Sequence, residues 1–131
     1  MEAHADIQAG ICGFRTHVTA SAQRARPVSF TLDTDCETVA ALAAALTDHG
    51  AFDAFDEIDP RTEGSLMPIV REQLKGCCAG CAVPVGVFKA MQVAAGLALP
   101  KDIEIGLSVD RTTQAKEPRP DNEQAPGEVT E

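Results

Sequence analysis

The 131-residue sequence contains no tryptophan and no tyrosine, and five phenylalanines are its whole aromatic content. Its core therefore has to be packed from Ala, Val, Leu and Ile, without the large rings that usually carry much of the buried area. Positive charge is scarce too: 11 Lys and Arg stand against 20 Asp and Glu, a formal net charge of −9. With those basic residues scattered singly and no aromatics between them, the chain would repel a phosphate backbone, so nucleic-acid binding is not expected. Long hydrophobic runs are missing as well. Stretches such as Val83 to Phe88 and Val93 to Leu99 fall far short of the ~20 residues that span a bilayer. The start MEAHADIQAG has neither the positive nor the apolar segment of a secretory signal. The expectation is a cytoplasmic protein without membrane attachment.

Several catalytic signatures are absent: there is no phosphate-cradling glycine loop, no nucleophile elbow and no H-E-x-x-H helix. Enzymatic catalysis thus has no positive signal. The acidic stretch Asp53, Asp56, Glu57 and Asp59 lacks calcium-loop spacing and reads as a solvated face.

What remains is a chain long enough for one core, with readable periodicity. From Ile11 to Ala22, Phe14, Val18, Ala20 and Ala22 share one parity, which predicts a half-buried strand. After a polar connection, Val28, Phe30 and Leu32 alternate with Ser29, Thr31 and Asp33, completing a hairpin. Val39, Leu42, Ala43 and Leu46 then recur at helical spacing, predicting a helix from about Cys36 to His49 that stops at Gly50. Phe52, Phe55 and Ile58 belong to a loop or short helix laid on the core. Leu66, Ile69, Val70 and Leu74 mark a second helix ending at Gly76, and Pro84 opens a third that ends near Gly96.

Ile103, Ile105, Leu107 and Val109 restore the two-residue alternation and predict a last strand. The order is β-β-α-α-α-β. The simplest packing is α+β: a three-stranded, mainly antiparallel sheet with about three helices on one face. This domain occupies residues 1–110. Residues 111–131 lose all periodicity and are expected to be a disordered, acidic, proline-containing tail.

The chemistry-bearing feature is the set of five cysteines. In a reducing compartment thiols stay free for metals or reactions, and an odd number does not close a disulfide framework. The hairpin sets Cys12, at the start of the first strand and on its core side, roughly opposite the high thirties. Cys36 lies just past the second strand, at a helix start. Cys77, Cys78 and Cys81 fill the connection before the third helix. Cys36 and Cys81 thus both fall at positive helix ends, where a thiolate is stabilised and its pKa lowered. Gly13, Gly76 and Gly80 flank the cysteines and leave N–H donors free for sulfur.

Cys12, Cys36, Cys77 and Cys81 are accordingly the expected ligands of one site, with Cys78 as an alternative ligand. An iron–sulfur cluster, [4Fe–4S] or [2Fe–2S], is the preferred occupant; structural zinc and a thiol redox or sulfur-carrier role are the alternatives. A protein redox or cluster-transfer partner would follow from the first reading. His49, just before Gly50, reads as a helix cap rather than a ligand. His17 falls on the polar face of its strand, His4 in a mobile terminus, and Lys89 reads as a solvated lysine.

The run Gly10-Ile11-Cys12-Gly13-Phe14, the Asp35-Cys36 step, Cys77-x-x-x-Cys81-Ala82-Val83-Pro84, Lys89-Ala90 and Ala94 through Pro100 resemble a family of small prokaryotic proteins of unknown function, over residues from about 7 to 109. That resemblance implies His at the place of Cys78, which is why Cys78 is set aside as a primary ligand. More distantly, the cysteine layout is similar to NifU-type and IscU-type iron–sulfur scaffolds. In those the first motif reads Cys-Gly-Asp, and the acidic residue is associated with cluster release. Phe14 stands in its place here, which implies a cluster that is kept rather than passed on.

Overall fold

A computed structural model describes residues 1–23, 27–59, 61 and 64–111. Met1–Pro100 forms one compact unit, and the chain from Lys101 onward is a separate one.

The first unit is α+β, with a single antiparallel sheet in the order β1-β2-β3-β4. Strand β1 (Glu2–Gln8) turns through Ala9–Phe14 into β2 (Arg15–Ser21), in a register that sets Ala3 opposite Ala20 and Ile7 opposite Thr16. Strand β3 (Pro27–Thr34) pairs with β2, Val18 facing Leu32 and Ala20 facing Phe30. The two-residue β4 (Phe52–Asp53) closes the sheet against Pro27 and Val28. Alternation decides the faces: Ala3, Ile7, Val18, Ala20, Val28 and Phe30 are buried on one side. Glu2, His4, Asp6 and His17 lie on the other.

Helix α1 (Glu37–His49) buries Val39, Leu42 and Leu46 and lies on β3, while α4 (Val83–Ala94) lies on β1 and β2. Between them in sequence come α2 (Ala54–Glu57) and α3 (Leu66–Gln73), the latter packed on α1. Leu42, Val70, Val87 and Met91 reach 0% exposure within one continuous core; each such side chain stabilises the fold by roughly 1.5–3 kcal/mol. Phe30 and Phe52 meet edge to face at 5.7 Å, the only aromatic pair of phenylalanines among the described residues.

The helices and the central hairpin follow the sequence pattern; the strand count does not. Four strands and four helices replace three and three, in the order β-β-β-α-β-α-α-α. The extra strand β1 was hidden because its inward row is Ala3, Ala5 and Ile7, and alanine contributes little hydrophobic signal to a periodicity. The expected last strand over Ile103–Val109 is not formed: residues 101–111 carry no helix or strand and are exposed. An alternating segment becomes a strand only when its N–H and C=O groups find a ladder. The tail expected at 111–131 lies, apart from Arg111, outside the described residues. Among the described residues no helix is long and apolar enough to cross a membrane.

Candidate metal centre

Cys12 lies at the tip of the β1–β2 connection rather than on a strand. Gly10–Cys12 form one turn of 3-10 helix, closed by the Gly13 N–H donating to Gly10 O at 2.9 Å. Gly13 takes φ 79°, and Gly76, just ahead of Cys77, takes φ 88°. Side chains with a Cβ are strained in that region, so these two glycines set the turns that present the adjacent thiols. Cys12 is exposed, as is Phe14; the core-side placement expected for both is corrected, because the chain leaves the sheet before their parity can act.

Cys36 is the N-cap residue of α1. Its backbone N–H donates to Thr34 Oγ1 at 3.1 Å, and the Thr34 hydroxyl is paired with Thr16 Oγ1 at 2.8 Å. The last turn of the hairpin therefore fixes where α1 begins. The Cys36 side chain makes no capping bond, which leaves its sulfur half-buried at the positive end of the helix.

Cys77, Cys78 and Cys81 share the connection between α3 and α4. Cys77 N–H donates to Leu74 O at 2.9 Å and Cys81 N–H to Cys78 O at 3.1 Å, two successive tight turns. Cys77 and Cys78 are exposed, whereas Cys81 is half-buried and packs on the core just before α4. Gly80 N–H lies 3.3 Å from Cys78 Sγ, a sulfur-directed donor.

Burial pushes the Cys81 thiol above its ordinary pKa. The Val83 N–H that donates to it pulls the other way, and negative charge on Cys77, Cys12 and Cys36 adds to the rise. The lowering expected from the helix end is thus corrected: desolvation outweighs the single backbone donor. The negative charges that add to the rise belong to Cys77, on the same connection, and to Cys12 and Cys36 from two other segments. Even so, no three His, Cys, Asp or Glu side chains among the described residues are arranged as a ready-made ligand set for a metal ion.

His49 stacks on Phe52 at 3.9 Å between ring centroids and turns Nδ1 towards Gly50 O at the end of α1, in keeping with a cap. His4 is part of β1, not of a mobile end: its Nδ1 lies 3.2 Å from His17 Nε2, and His17 Nδ1 donates to Asp6 Oδ1 at 2.7 Å. This pair sits on the sheet face opposite the helices. Lys89 borders a groove of about 480 Å³ with Glu57, Ile58, Met67, Val85 and Phe88, a site with no cysteine in its lining.

The sequence missed Glu57 altogether. Far from a solvated face, it is 7% exposed, and its carboxylate accepts from Ser65 N–H at 2.9 Å and Leu66 N–H at 2.8 Å. It caps α3 from another segment, which anchors the helix that leads into Cys77. Composition gave no sign of it, since a capping carboxylate eight residues away follows no local motif.

The chain belongs to a family of unknown function, DUF6951, whose model matches residues 3–107. Comparison with curated proteins and with solved structures returns no match.

Proposed function

We propose that Cys12, Cys36, Cys77 and Cys81 hold an iron–sulfur cluster, making this a small cluster-binding protein for electron transfer, storage or sensing. What supports the reading is that the charges raising the Cys81 pKa come from Cys77 on its own connection and from Cys12 and Cys36 on two other segments of the fold. Their chemistry fits the group. The donors are all soft thiols, they open to the surface through Cys12 and Cys77, and the Val83 backbone N–H already points at the Cys81 sulfur. When bound, such a cluster supplies one-electron exchange at a potential set by such hydrogen bonds and by solvent access.

The protein's own part is positional. Thr34 and Thr16 hold Cys36, the Gly13 turn presents Cys12, and α3 and α4 bracket Cys77 and Cys81. Phe14 leaves the Cys12 turn without the carboxylate of the NifU-type and IscU-type motif, which favours retention over release.

Anaerobic purification or reconstitution, followed by iron and acid-labile sulfide analysis, tests the proposal. Coloured protein with both elements is expected, lost on replacing any of Cys12, Cys36, Cys77 or Cys81 by Ser and kept in Cys78→Ser. Colourless protein without iron or sulfide would sink the proposal. Stoichiometric zinc with no iron would replace it with a structural zinc site.

A further inference from the structure

The segment after Pro100 carries an unusual exposure of apolar side chains in strict alternation. Ile103 is 54% exposed, Ile105 77%, Leu107 91% and Val109 70%, with Glu104, Gly106 and Ser108 on the other parity. A soluble chain gains nothing by holding four large aliphatic groups in water, and their two-residue spacing is that of a strand with one buried face. The family match runs through residue 107, so most of the segment lies inside the family's own unit.

The sheet offers one place for such a strand. Among the described residues strand β1 pairs only with β2, which leaves a row of N–H and C=O groups on its outer edge. It is seven residues long, as is Ile103–Val109, while the other edge, β4, has only two residues. On the helix-covered face β1 presents Ala3, Ala5 and Ile7, and Ala5 stays half-buried between two buried neighbours. An added strand would extend that row.

We infer that residues 103–109 of one molecule add to the free edge of β1 in a second molecule, so that the protein forms a strand-exchanged dimer. Two such strands exchange reciprocally about a two-fold axis, which closes the assembly and removes both edges. The four side chains expose on the order of 500 Å² per chain, and reciprocal exchange brings the total buried area to roughly 2,000 Å², within the range of stable dimers. The polar parity, with Asp102, Glu104 and Asp110, falls beside Glu2 and Asp6 of the receiving strand. These like charges oppose pairing and are screened by salt.

Light scattering and amide hydrogen exchange on the full chain test this. At about 0.2 mM chain, where a micromolar dimer is complete, the expected mass is twice 13.8 kDa. Amides over 103–109 should be protected, and the dimer should tighten with added salt. Ile105→Asp and Leu107→Asp, at exposed positions, should each give monomer with unchanged far-UV circular dichroism. Replacing Cys12 and Cys77 by Ser should leave the dimer intact, which separates this inference from the cluster reading. Monomeric wild-type protein overturns it, whether the 103–109 amides are protected or not. So does a dimer that survives Ile105→Asp with Leu107→Asp, or one that salt loosens.

Discussion

Replacing Gly64 by Ala should destabilise the protein through Glu57, a residue seven positions earlier in the chain. A Cβ built at Gly64 would lie 2.7 Å from Cδ, Oε1 and Oε2 of Glu57 at once. The carboxylate cannot retreat without dropping the Ser65 and Leu66 N–H groups, and Ser65, the N-cap of α3, offers no side-chain cap of its own. Hydrogen bonds to a charged group contribute about 1.5–3 kcal/mol each. Because the two share one carboxylate, roughly 3 kcal/mol is expected for Glu57→Ala and a similar loss for Gly64→Ala. For a domain of this size that lowers Tm by on the order of 15 °C.

The double variant separates this mechanism from a generic loop effect. With Glu57 removed the obstruction is gone, and Gly64→Ala should then be neutral or stabilising by about 0.4–1 kcal/mol through the unfolded chain. The double variant therefore costs about 3 kcal/mol less than the sum of the singles. Urea unfolding followed by far-UV circular dichroism reads all four proteins, since the chain has neither Trp nor Tyr to report by fluorescence. Additivity within about 0.5 kcal/mol would refute the account.

Two titrations follow from the same structure. Since the Cys81 pKa is raised by burial and by neighbouring thiolates, iodoacetamide should modify Cys81 more slowly than the exposed Cys12 in metal-free protein. The folded state holds that proton longer than the unfolded one. Its contribution is thus full below the unfolded thiol pKa and is lost as pH rises through the folded value, a decline that Cys81→Ser should abolish. Asp6 is held below the ordinary carboxylate range, chiefly by the His17 hydrogen bond. His17→Asn should move the Asp6 carboxyl titration, followed by NMR, up towards its usual value. The stability it carries is present above the unfolded carboxylate pKa and is lost as pH falls through the folded one. An unmoved Asp6 titration would mean that the hydrogen bond is not made in solution.

Local pattern was enough where the signal is contained in a few residues. The spacing of Val39, Leu42 and Leu46 placed α1 and its stop at Gly50, Pro84 placed the start of α4, and the alternation of Val18 and Ala20 against Phe30 and Leu32 gave the hairpin and its pairing. For the candidate site, local pattern put Cys36 at the start of α1 and Cys81 just ahead of α4, where the structure has them, and went no further. Tertiary structure decided what depends on partners. It made β1 a strand through pairing that alanines could not advertise, and it left Ile103–Val109 unpaired despite a perfect alternation. It buried Glu57 under Gly64 and raised the Cys81 pKa where a helix end alone would lower it. The physical reason is common to all four. Periodicity records which face a side chain prefers, but hydrogen-bond ladders, desolvation and close approach are set by residues far away in the chain, and no window of sequence contains both halves of such a contact.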